Sequence, residues 1–282
     1  MKIIKTISEM RDYSRELRQS GETIGFAPTM GYLHDGHISL FKAANSHNTK
    51  AVVSIFVNPA QFGPAEDLST YPRDMEGDLE KCAQASVDAV FIPEAREMYP
   101  DGYSTYVDVS GITAVMEGRM RPGHFRGVTT VVAKLFNIVM PHKAYFGQKD
   151  YQQTVVVRRM AQDLNMVTEI VVLPTVREPD GLAMSSRNAY LSPRERAAAL
   201  AIYKALSSAR DLYGAGERHA DALIKKVREV AKSEPLVELE YAEAADAATL
   251  APLGEIGGKA VLAVAARVGK TRLIDNVLLG AA

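Results

Sequence analysis

Five short β-rich runs dominate the first 175 residues: "TIGFAP", "AVVSIFVN", "DAVFIP", "KAYFG" and "TEIVVLP". Pro, Gly or Asn bounds them, and helix-like stretches fall between them at about 36–47, 73–85, 127–140 and 150–164. Strands alternating with helices build βαβ units, so the chain is expected to be α/β with a parallel sheet covered on both faces. Such a sheet also fixes where chemistry belongs, because ligands sit outside the carboxyl ends of its strands. Polar clusters occur at those places: "TMGYLHDGH" after the first run, "NPAQF" after the second and "GQKDYQQ" after the fourth.

Beyond about residue 175 the pattern changes. In "SPRERAAALAIYKALSSARDLYG", Ser192 reads as an N-cap and Pro193 as the first helical residue. A second amphipathic helix at about 217–232 follows, and then "LVELEYAEAAD", "KAVLAVAARVG" and "TRLIDNVLLG" read as a small antiparallel sheet. The division expected is residues 1–175 for the parallel-sheet domain and 176–282 for a smaller α+β domain, joined through "VREPDGLAMSSRN".

Charge and cysteine content narrow the function classes. A net charge of −1 gives no general attraction to nucleic acid or anionic membrane. The single cysteine, Cys82, excludes an intramolecular disulfide and a cysteine-based zinc site, and its helical setting reads as packing rather than as a reactive thiol. No run has membrane-spanning length, and "MKIIKTISEM" lacks the apolar core of a signal peptide, so a cytoplasmic location is expected.

The histidines of "PTMGYLHDGHISL" carry the clearest chemistry. His34 and His37 are three apart at an expected helix start, where free N–H groups and the helix dipole favour phosphate, and Gly31 and Gly36 let a nucleotide approach. Metal ligation is the weaker reading, since two histidines need further ligands. Asn58 and Gln61 offer amides suited to a hydroxy acid, although Asn58-Pro59 can also simply make a turn. Lys149 supplies a point charge for phosphate, Asp150 could order Mg²⁺ or cap the next helix, and Gln153 lies one turn further on. Arg121, His124 and Arg126 in "RPGHFRGV" suit an anion or a mobile loop, and Ala183–Asn188, "AMSSRN", could clasp a triphosphate. There is no Walker loop, no Gly-x-Gly-x-x-Gly and no Gly-x-Ser-x-Gly.

Taken in order, "PTMGYLHDGH", "SIFVNPAQF", "RPGHFRGV", "FGQKDYQQ", "GLAMSSRNAYLS" and "TRLIDN" resemble the pantothenate synthetase family, over essentially the whole chain from residue 28 to residue 276. The His-x-Gly-His element alone is shared by the wider nucleotidyltransferase superfamily, so a cofactor adenylyltransferase is the alternative; a noncatalytic nucleotide- or RNA-binding module is a second. The resemblance implies a Rossmann-like first domain, a C-terminal lid domain and a homodimer. It implies condensation of (R)-pantoate with β-alanine through a pantoyl adenylate, with ATP as co-substrate, Mg²⁺ held mainly by the phosphates, and no prosthetic group. Carried over by position, ATP binding falls on Met30, Gly31, Tyr32, Leu33, His34, Asp35, Gly36 and His37. It continues on Gly147, Gln148, Lys149 and Asp150, and on Val176, Met184, Ser185, Ser186 and Arg187. Pantoate falls on Gln61 and Gln153, β-alanine on Gln61, and catalysis on His37 with His34 and Lys149. Gln148 departs from the glutamate of many relatives.

Overall fold

A computed structural model describes residues 1–64 and 66–280. Strand β1 (Lys2–Ile4) leads into α1 (Ile7–Gln19), β2 (Ile24–Thr29), α2 (Asp35–His47), β3 (Lys50–Ile55), α3 (Met75–Gln84) and β4 (Ala89–Phe91). Two short helices, α4 (Ala95–Met98) and α5 (Met116–Met120), precede α6 (His124–Val139), β5 (Lys143–Gly147), α7 (Tyr151–Asp163) and β6 (Glu169–Leu173). The six strands form one sheet in the order β1-β4-β3-β2-β5-β6, and every pairing is parallel. The five expected strands and four expected helices are present within a few residues. Strand β1, helix α1 and the short α4 and α5 lie outside those expectations. The signal for α1 was available: Thr6 and Glu9 form a capping box at its start.

Side-chain alternation along the strands sorts the sheet into two layers. Phe26, Val52, Phe91 and Phe146 point to the face covered by α1, α6 and α7, whereas Ala27, Val53, Val90 and Tyr145 point to the face of α2 and α3. Each fully buried large apolar side chain contributes roughly 1.5–3 kcal/mol. Cys82 lies in the second layer, where burial pushes its thiol up to about 12, so it packs rather than reacts.

The rest of the chain contains α8 (Pro193–Ala198), α9 (Leu200–Gly214), α10 (Ala220–Lys232) and an antiparallel sheet of β7 (Val237–Asp246), β8 (Ala260–Val268) and β9 (Thr271–Leu279). Ser192 caps α8 as expected, with Glu195 completing the box, but the long helix of the sequence reading is interrupted at Ala199. Along β8, Leu262, Val264 and Ala266 join the core under α9 and α10. Val261, Ala263 and Ala265 face the other way, in a cluster with Met116 and Val155 from α5 and α7. The small sheet is therefore clamped between its own helices and the first half. Among the described residues no helix is long and apolar enough to cross a membrane.

The strand order reverses at β2: β3 lies on one side of it and β5 on the other. Their carboxyl ends open the crevice in which a parallel sheet presents its ligands.

Candidate active site

A cleft with an empty volume of about 1390 Å³, open solvent included, occupies that crevice. Met30, His34, Gly36, His37, Gly147, Lys149, Asp150, Val176, Met184, Ser185, Ser186 and Arg187 all line it, as do Gln61 and Gln153. Gly31, Tyr32, Leu33, Asp35 and Gln148 are not part of that lining.

The histidines start α2. His34 is its N-cap, its Nδ1 accepting from the Gly36 N–H at 3.2 Å. The His34 N–H in turn donates to His37 Nδ1 at 3.3 Å, so the pair forms a capping box with imidazoles in place of a hydroxyl and a carboxylate. Both rings accept at Nδ1, which assigns the proton of each neutral imidazole to Nε2. The ring centroids are 4.1 Å apart. Burial, with Lys149 adding to it, lowers His34 to about 4, and burial followed by its neighbours His34 and Lys149 holds His37 well below its ordinary range. The protein thus presents two uncharged N–H donors next to one lysine.

The turn before them is pinned on two sides. Gly31 and Tyr32 both have left-handed backbone, φ 84° and 50°, and a non-glycine residue held there stores about 1–3 kcal/mol. The Tyr32 and Leu33 N–H groups donate to the buried Asp78 carboxylate at 2.7 and 2.6 Å, and the Tyr32 carbonyl accepts from Ser186 Oγ at 3.1 Å. Burial pushes the Asp78 carboxyl up while those two N–H groups oppose the rise.

On the opposite wall, Asn58 caps a 3₁₀ turn at Pro59–Gln61, which favours the turn reading of that residue. It also orients Gln61: Asn58 Nδ2 donates to Gln61 Oε1 at 3.0 Å and to the Gly127 carbonyl at 3.1 Å. Gly127 lets α6 approach this turn, since a Cβ there would meet the Ala60 carbonyl and lie 2.6 Å from Gln61 Cα. His124 and Arg121 support the turn from behind. The Gln61 carbonyl can only accept, so His124 Nδ1 donates to it at 2.9 Å and its Nε2 receives Arg121 Nη1 at 3.1 Å. Burial, followed by Arg121, takes His124 to about 4. Arg126 turns away and stacks over Tyr106. Val128, Val131, Val132 and Leu135 of α6 supply an apolar floor.

The third wall comes from the second half. Ser185 caps a 3₁₀ turn over Ser186–Tyr190, and Arg187 grips Asp67 with two bonds of 3.0 and 2.9 Å. Burial works against Asp67 ionising, but Arg187 outweighs it and holds the carboxyl below the usual range. From β9, Asn276 Nδ2 donates to the carbonyls of Gln148 and Lys149, each at 3.0 Å, and the Gln148 amide returns a bond of 3.2 Å to Asn276 Oδ1. Gln148 is thus a clip between the halves. Arg177 pairs with buried Asp275 at 2.6 Å beside it.

Tyr71, which lines the cleft, and Asp67, Asp78 and Asn276, which brace its walls, are the residues that sequence reasoning missed. The "TRLIDN" block gives no role to Asn276, and nothing local marks Asp78, which lies 45 positions from the leucine it holds. Among the described residues no group of three or more His, Cys, Asp or Glu could hold a metal. Asp150 is the one carboxylate among them that lines the cleft, its side chain about half exposed and 3.8 Å from Lys149.

Comparison with known proteins gives a consistent result. A family model described as pantoate-beta-alanine ligase matches residues 2–278. A pantothenate synthetase of Moorella thermoacetica is 55% identical over 279 residues, covering 99% of both chains. The crystal structure of the enzyme from Thermus thermophilus superposes with a TM-score of 0.94 at 47% identity, over 98% of this chain and 99% of that one. A pantoate-beta-alanine ligase from Francisella tularensis, complexed with Beta-gamma ATP and Beta-alanine, has a TM-score of 0.82 at 36% identity, over 99% of this chain and 97% of that one.

Proposed function

The chain belongs to the pantoate–β-alanine ligase family, and from that premise we propose how its cleft divides the work. The reaction is the ATP-dependent condensation of (R)-pantoate with β-alanine to pantothenate, through a pantoyl adenylate, releasing AMP and pyrophosphate. In the first step the pantoate carboxylate attacks the α-phosphorus of ATP and pyrophosphate leaves. In the second the amine of β-alanine attacks the activated carbonyl, AMP leaves and the amine loses its proton.

A carboxylate approaching a triphosphate is repelled by it. The Nε2–H groups of His34 and His37, the Lys149 ammonium and the Ser185–Ser186–Arg187 turn oppose that repulsion and meet charge as it moves onto the leaving group. Met30, Gly36, Gly147, Asp150, Val176 and Met184 complete the nucleotide wall. Neutral histidines bind phosphate without competing with Lys149 for charge, and His37 becomes able to carry and donate an extra proton only when the triphosphate raises its affinity for one. Gln61 and Gln153 hold pantoate by donor–acceptor pairing above the apolar floor of α6, and Gln61 also faces β-alanine. Mg²⁺ is usually held by substrate phosphates and one or two carboxylates, and Asp150 alone on the cleft wall fits that pattern. Bound there, the ion would neutralise phosphate charge. A cytoplasmic homodimer, with residues 176–282 acting as a lid on residues 1–175, completes the reading on family likeness.

The observation that carries this reading is the pair of Nε2 edges beside Lys149, facing oriented amides across one cleft. The test is pantoate-dependent exchange of pyrophosphate into ATP without β-alanine. Removing one transition-state donor costs ~10²–10³ in rate, so His37→Ala loses that much with its fold intact. A variant with near-native turnover removes His37 from the mechanism.

A further inference from the structure

The turn that delivers His34 presents two successive backbone N–H groups, of Tyr32 and Leu33, in a backbone with positive φ at Gly31 and Tyr32. Successive N–H groups of such a turn form a concavity that attracts anions. Here it is filled by this protein's own carboxylate: Asp78 Oδ2 takes the Tyr32 N–H and Oδ1 the Leu33 N–H, and Asp78 is 1% exposed. Gly31 leaves room for the arrangement, since a Cβ would lie 3.0 Å from Asp78 Oδ2. Asp78 stands on α3, whose start is fixed by Asp74 capping the Gly77 N–H at 3.1 Å. On the other side of the Tyr32 residue, Ser186 holds the carbonyl. Held at both its N–H and its carbonyl, Tyr32 has one orientation, and the next residue is His34's neighbour Leu33.

Building on the reaction above, we propose that Asp78 is a positioning residue of adenylation: its carboxylate fills the anion-attracting turn and thereby aims the His34 and His37 Nε2 edges at the phosphates. It does not line the cleft. The arrangement leaves the nest closed to phosphate, so the triphosphate meets imidazoles instead of bare backbone.

Asp78→Asn keeps the shape but replaces one acceptor oxygen by a donor, which opposes one N–H. A misplacement of about 1 Å can cost ~10²-fold in rate, so pantoate-dependent pyrophosphate exchange falls by about that factor while KM for β-alanine in the complete reaction stays unchanged. The ¹⁵N resonances of the His34 and His37 rings, recorded on the substrate-free protein, shift away from the native Nε2–H pattern. Unchanged ring resonances, a native exchange rate, or a parallel rise in KM for β-alanine each overturn the proposal. Should Asp78→Asn not fold by circular dichroism, Asp78→Glu, with both oxygens on a longer stem, displaces the turn and is read by the same measurements. If the native protein shows no pantoate-dependent exchange, the reaction assignment fails, whereas the ring resonances still report on Asp78.

Discussion

His34 does two jobs that one substitution can separate. Its Nδ1 caps α2 by accepting the Gly36 N–H at 3.2 Å, and its Nε2 is left to the cleft. Asparagine places Oδ1 where histidine places Nδ1, three bonds from Cα, and ranks among the best N-caps, whereas alanine has no acceptor. Losing a cap costs ~0.5–2 kcal/mol, typically about 1. His34→Ala therefore unfolds at a lower urea midpoint, and His34→Asn recovers about 1 kcal/mol of that difference. Neither variant keeps the ring, so both lose ~10²–10³ in pantoate-dependent pyrophosphate exchange, equivalent to about 2.7–4 kcal/mol of transition-state stabilisation. Stability thus follows the acceptor and activity follows the imidazole. Equal urea midpoints for the two variants would refute the cap, and near-native exchange by His34→Asn would refute the phosphate contact.

Further outcomes follow from the same geometry. Both His34 and His124 sit at about 4 when folded, against an ordinary 6.5, so the folded state takes up fewer protons than the unfolded one between those values. Their contribution is complete above pH 6.5 and is lost as pH falls towards 4; urea midpoints measured across that window should decline, and His34→Asn should flatten the decline. Gly127→Ala drives a methyl into the Ala60–Gln61 backbone, which should raise KM for pantoate more than KM for ATP in steady-state assays. Equal effects on the two constants would place the disturbance elsewhere.

Much of this architecture can be read from composition along the chain because its central strands are buried on both faces. Runs such as "AVVSIF" need no partner to be recognised, whereas β1 has one buried residue in three and exists as a strand through its pairing with β4. The site divides in the same way. His34, His37, Lys149 and the "MSSRN" turn stand out because their chemistry is local to a strand end or a cap. Asp78 and Asp67 do not, because each acts on a backbone or side chain far away in sequence, and an acidic residue on a helix or loop ordinarily faces water. Gln148 illustrates the reverse: its position in a motif implies a ligand contact and says nothing of the bond its amide makes to Asn276.

That Asn276 carboxamide has a mechanical consequence. It joins the last strand of the small sheet to the peptide groups on either side of Lys149, so any swing of one half against the other must rotate about the lysine or break two bonds there. If residues 176–282 move as the proposed lid, these two bonds hold the peptide groups around Lys149 in place while the far rim of the cleft opens.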